Sequence, residues 1–153
     1  MSLSNFYSSG DIPSQPFIQE LDGCYVSVTD SIKVIVRPVY LEGQSTPSED
    51  RYVWAYHVRI ENNSDNIIQL RSRTWYIIGT NGIMQEVRGS GVVGELPVLN
   101  PSDTFEYTSG TSLQTPSGIM FGSYRMIDMD GKFLDVQIPA FSLDSPYQPV
   151  TLN

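Results

Sequence analysis

The sequence is short of the residues on which many chemistries depend. It has one cysteine, Cys24, and one histidine, His57, among 153 residues, so neither an internal disulfide nor a zinc site of three or four Cys and His ligands is available. Basic residues are also scarce: nine Lys and Arg against seventeen Asp and Glu leave a formal charge of −8. Polyphosphate binding is driven by cations that release condensed counterions, so general nucleic-acid binding is not expected. No apolar run is long enough to span a bilayer, and no basic n-region followed by an apolar h-region opens the chain. A reducing cytoplasm is the expected compartment, without membrane insertion. A sustained 3.6-residue apolar stripe with helix caps is missing too, so little helix is expected.

What is present is alternation. Ile32, Val34, Val36 and Tyr40 share one face of a strand that Pro38 marks as an edge or bulged one. Tyr52, Trp54, Tyr56, Val58 and Ile60 alternate with Val53, Ala55, His57, Arg59 and Glu61, a half-buried strand ended by Asn62-Asn63-Ser64-Asp65. Asn81-Gly82 and Asp130-Gly131 each separate two apolar runs, and a type I′ hairpin turn, with positive φ at both positions, is predicted at each. Thr104–Thr108 and Phe133–Phe141 complete a set of about seven strands. The pattern predicts an all-β fold, an antiparallel β-sandwich, with a barrel as the alternative. Residues 1–21 read as a flexible acidic tail, 22–143 as the sandwich and 144–153 as a trailing C-terminal segment.

The candidate site is Gly89-Ser90-Gly91-Val92-Val93-Gly94, a G-x-G-x-x-G followed by Glu95 and Leu96. In a dinucleotide fold these glycines open a helix whose N-terminus holds pyrophosphate. Here Pro97 and Pro101 leave no room for that helix, so the motif reads as a glycine-permitted turn, with Arg88 the only cation near it. Asp128-Met129-Asp130-Gly131 does not fit a calcium loop, because its glycine falls at position four and Pro139 stands at position twelve. His57 lies in mid-strand and no G-x-S-x-G elbow exists, so no catalytic residue, cofactor or enzyme activity is expected. Residues 89–99 and 107–118 read as long irregular stretches carrying Val92, Val93, Leu96 and Leu113. These apolar residues serve either as a preorganised contact surface or as loop residues packed back on the core.

Several words in order, Gly89-Ser90-Gly91-Val92-Val93-Gly94-Glu95-Leu96-Pro97-Val98-Leu99, then Phe105-Glu106-Tyr107-Thr108-Ser109-Gly110, Thr115-Pro116-Ser117-Gly118, Gly122-Ser123-Tyr124 and Ile138-Pro139-Ala140-Phe141-Ser142-Leu143, resemble the ApaG family over roughly residues 24–143. The resemblance implies a sandwich of the fibronectin type III or immunoglobulin-like kind. It also implies an association with cobalt and magnesium tolerance in bacteria and a binding role where eukaryotic proteins carry the domain. A non-enzymatic interaction module with a protein partner, a second copy of the chain among the candidates, is the expected function. The alternative is a direct binder of a divalent cation or of a pyrophosphate or nucleotide ligand.

Overall fold

The computed structural model describes residues 23–147, so the acidic segment 1–21 lies outside the described residues. Nine strands run in order: β1 (Tyr25–Thr29), β2 (Ile32–Tyr40), β3 (Tyr52–Asn62), β4 (Ile68–Gly79), β5 (Met84–Ser90), β6 (Val98–Leu99), β7 (Thr104–Leu113), β8 (Ser117–Asp128) and β9 (Phe133–Asp144). Seven of them exceed five residues, with β1 and the two-residue β6 as additions. All pairings are antiparallel, in two sheets ordered β1-β2-β3-β7 and β5-β4-β8-β9, with β6 on β4. The molecule is the expected β-sandwich, and no α-helix occurs among the described residues.

Alternation dictates the core. The residues of β3 that carry the apolar face, Tyr52, Trp54, Tyr56, Val58 and Ile60, all join one buried cluster with Leu70, Trp75 and Ile77 of β4 and with Tyr124 and Phe141 of the facing sheet. Aromatic rings meet edge-on at its centre, Tyr56 to Trp75 at 5.2 Å and Trp75 to Phe141 at 6.0 Å, the arrangement favoured by ring quadrupoles. Pro38 sits where β2 has one neighbour only, because β1 stops opposite Val36. At one side of the sandwich the sheets are stitched by side chains. Ser27 donates to the Gln137 carbonyl (2.7 Å), and the Gln137 N–H donates to Thr29 Oγ1 (3.1 Å). On the opposite side the β5 and β7 edges face each other unpaired.

Four expectations are corrected. β3 is buried on both faces near its start, because Leu41 and Val39 pack on Val53 and Ala55 after the Leu41 N–H bonds the Val53 carbonyl (2.8 Å). The hairpins after β4 and β8 are three-residue loops. The Gly82 N–H bonds the Gly79 carbonyl (3.0 Å) and the Gly131 N–H the Asp128 carbonyl (3.2 Å), with positive φ at Gly82 and Gly131 alone. Such a loop places the glycine after the turn, in the bulge position, where Asn81 and Asp130 need no left-handed backbone. Residues 107–113, expected to be irregular, are strand: Tyr107, Ser109, Thr111 and Leu113 all face inward opposite β3, and the small polar residues between the two apolar ends concealed the alternation. Lastly, residues 144–147, the described part of the segment expected to trail, pack back on the fold. The Tyr147 hydroxyl donates to Glu42, and its ring packs 6.3 Å from those of Tyr40 and Tyr52.

Candidate functional site

The site begins with an irregularity in β4. Its register shifts between Leu70 and Ser72, so one extra residue changes which parity faces the core. Before the bulge Ile68 and Leu70 point inward; after it Arg73, Trp75 and Ile77 share the inward parity. An arginine is thereby turned toward the space between the sheets, directly opposite the fully buried Tyr124. Its Nη1 donates to the carbonyls of Ser90 (3.0 Å) and Gly91 (2.6 Å), where β5 ends. Gly89 is the β5 residue opposite Arg73, and a Cβ there would lie 2.8 Å from the guanidinium. A side chain at position 89 would displace the arginine from the loop it holds.

Beyond Ser90 the chain makes a tight turn. The Gly91 N–H bonds the Arg71 carbonyl (2.9 Å), and Val92 and Glu95 exchange both backbone bonds (2.9 and 2.8 Å). Val93 and Gly94, between them, have φ of 43° and 80°. Positive φ at both central residues is the type I′ arrangement, found here and absent from the two hairpins where it was predicted. Gly91 is fixed by φ of 61° and by crowding, since a Cβ would approach the Glu95 carbonyl oxygen to 2.2 Å. On the return the Leu70 N–H bonds the Pro97 carbonyl (3.0 Å) and Gln69 Nε2 the Leu96 carbonyl (3.2 Å). The three glycines of the motif thus serve an arginine, a backbone approach and a turn, and β6 follows where a dinucleotide site has its helix.

The structure separates the sequence-predicted residues. Val92 is 1% exposed and belongs to the core, as does Leu113, so neither is a contact residue. Val93, Leu96 and Val98 remain 38%, 45% and 54% exposed, and Glu95 and Gly94 are exposed beside them. Arg88 is not the loop's cation: it pairs with Glu86 on the outer face at 2.8 Å, and that guanidinium lowers the Glu86 pKa. Arg73 takes that place, and it was missed because a charged residue in a strand reads as outward-facing unless the bulge is known. His57 is held by Thr108 Oγ1 at Nδ1 (2.7 Å) and Glu106 Oε1 at Nε2 (3.0 Å), on the face of β3 away from the loop.

A β-branched residue at φ of 43° is strained, whereas Asn is the favoured residue there in a type I′ turn. Val93→Asn is therefore expected to stabilise the protein by about 1 kcal/mol, read as a rise of a few degrees in the melting midpoint. A lower midpoint would show that Val93 gains more from packing than the turn costs.

Comparison with known proteins agrees with this framework. The family model described as ApaG domain matches residues 42–128. Protein ApaG of Rhodospirillum centenum is 60% identical over 123 residues, covering 80% of this chain and 95% of that protein. Protein ApaG of Brucella canis is 57% identical over 129 residues, 84% and 99% of the two chains. A crystal structure of an ApaA protein from Bordetella pertussis superposes with a TM-score of 0.73 at 45% identity, over 76% of this chain and 95% of that one. The sandwich, the arginine-held glycine turn and relatives matched along nearly their whole length lead to one assignment: this chain belongs to the ApaG domain family.

Proposed function

We propose that the domain is a non-enzymatic binding module of the cytoplasm that docks a protein partner on the rim formed by Val93, Leu96 and Val98. The observation that carries this reading is the turn itself. Three apolar side chains are held outward on a segment whose backbone is bonded to β4 on both sides and braced by Arg73. Such preorganisation lowers the ordering cost of association. The strain at Val93 is local and relieved by a simple substitution, and strain kept at an exposed residue points to a role outside the fold. The family's association with cobalt and magnesium tolerance fits a module acting through its partner rather than by carrying ions.

The double variant Val93→Asp/Leu96→Asp tests the rim. Its melting midpoint is expected not to fall below that of the parent by more than about 2 °C, since Asp suits the turn position of Val93 as Asn does and a surface substitution at Leu96 costs little. Chemical cross-linking in cells is expected to lose a partner that the parent protein retains. An unchanged cross-linking profile would refute the rim, and a sharply lowered midpoint would return both residues to the core. A melting midpoint raised by magnesium, cobalt or a nucleotide would favour direct ligand binding instead.

A further inference from the structure

The unpaired β5 and β7 edges border a half-open cleft of about 160 Å³. Arg73 and Trp75 of β4, Val87 of β5, Thr111 of β7 and Met120 of β8 are among its walls. Two of these residues are unsatisfied. The Arg73 guanidinium is half-buried, and both of its hydrogen bonds come from Nη1 and go to neutral carbonyls. Among the described residues no ion pair includes it. Its charge is thus removed from much of the water that would solvate it, and no carboxylate compensates it. The Trp75 indole N–H is buried without a partner, although that of Trp54 bonds the Asp144 carbonyl at 2.9 Å. A donor left in that state costs about 1–3 kcal/mol.

Bracing the turn explains Nη1 but not the remaining guanidinium donors, while the indole N–H, which has no accessible surface, makes Trp75 a wall of the cleft and not a donor into it. We propose that this cleft is a binding site for a carboxylate carrying a short apolar group. A carboxylate accepts hydrogen bonds at two oxygens and matches the planar fork of an arginine. The apolar group has Trp75, Ile77, Val87 and Met120 to pack against. A phosphate would set further charged oxygens against those same apolar walls, where nothing bonds them. The volume suits a single branched acid or the last residue of a peptide, not a nucleotide. This inference does not rest on the rim, from which the cleft is distinct in its residues.

The two tryptophans supply the probe and its reference. In the ¹H–¹⁵N spectrum, isovalerate titrated at constant ionic strength against chloride is expected to shift the Trp75 indole resonance saturably, with a dissociation constant of about 1 mM. The Trp54 indole, already bonded, is expected to stay still. Arg73→Met is expected to weaken binding at least tenfold. Since that variant also loses the brace on the turn, Val87→Glu provides a second test. Val87 is 39% exposed at the cleft, and an acid there competes for Arg73 without disturbing the core. N-acetylvaline binding alongside isovalerate assigns the site to a peptide C-terminus, and isovalerate alone assigns it to a free acid; both support the proposal. It is overturned by no saturable shift up to about 50 mM, by equal binding of uncharged isovaleramide, by full binding in Val87→Glu, or by inorganic phosphate saturating at lower concentration.

Discussion

Replacing Asn62 with leucine is expected to lower the melting midpoint by on the order of 10 °C, although the two side chains are nearly equal in size. Asn62 is fully buried at the end of β3, in the parity that otherwise carries the apolar face. Its Nδ2 donates to the carbonyls of Asn66 (2.8 Å) and Leu99 (3.0 Å). Its Oδ1 accepts from the Ser64 N–H (3.1 Å) and hydroxyl (2.6 Å). The backbone at the same residue bonds Asp103 and Ser102. One amide therefore fastens the crossover between the sheets, the short β6 and the turn before β7. Leucine would take the Nδ2 donor from the buried Leu99 carbonyl, leave the Asn66 carbonyl only the longer Ser64 hydroxyl bond (3.3 Å), and strip the Ser64 N–H and hydroxyl of their acceptor, for a total of roughly 3 kcal/mol. Ser64→Ala, which removes the hydroxyl and its bonds to Oδ1 and to the Asn66 backbone but keeps the residue-64 N–H on Oδ1, is expected to cost about 1 kcal/mol. Thermal melts of the two variants check the order. Equal losses would mean that the carbonyl side of the network does not matter.

Above about pH 10 the protein is expected to lose stability steeply. Burial pushes the phenols of Tyr56, Tyr107 and Tyr124 up from their ordinary value, and Tyr107 and Tyr124 are hydrogen-bonded to each other between the sheets. The Arg73 charge opposes the rise at all three but does not cancel it. In the unfolded chain these groups ionise near pH 10, while the native state keeps their protons. At higher pH the unfolded state binds fewer protons, so unfolding becomes more favourable as pH rises. The stabilisation is complete below about pH 10 and disappears toward the raised native values. Each phenol contributes about 1.4 kcal/mol per pH unit, or roughly 4 kcal/mol per unit for three. Urea midpoints measured from pH 8 to 11 check this, and a flat profile between pH 9 and 11 would contradict it.

Much of the sandwich is legible in the sequence because one property, the side on which a residue falls, repeats every two positions. The alternation from Tyr52 to Ile60 identifies β3 and its core face, and by the same parity Asn62 belongs inside, a signal that its position in a turn-like Asn-Asn-Ser-Asp string hides. The bulge at Arg71 is not legible, because an added residue changes parity without changing composition. That is why Arg73 goes unnoticed while the glycines it braces are conspicuous. β7 is hidden differently: its inward Ser109 and Thr111 are small and polar, and only their partners on β3 show that they face the interior. Turn types are legible only in part. Asn-Gly and Asp-Gly give the right hairpins, but hydrogen bonding adds a third residue to each loop, whereas Val93-Gly94 adopts the two-residue form without the usual first residue.

The stitch between β1 and β9 has a consequence for how the molecule is made. Ser27 meets Gln137 across 110 residues of sequence, and the Trp54 indole meets the Asp144 carbonyl across 90. Contacts of such separation close late and place folding on the millisecond-to-second scale. On a ribosome adding 5–20 residues per second, Trp54 emerges roughly 5–20 s before the strand that covers it. During that interval the second sheet consists of β4 and β5 alone, without the Tyr124 of β8 and the Phe141 of β9 that complete the core. A nascent-chain chaperone is therefore expected to engage β3 and β4, and to release them only when β9 has left the exit tunnel.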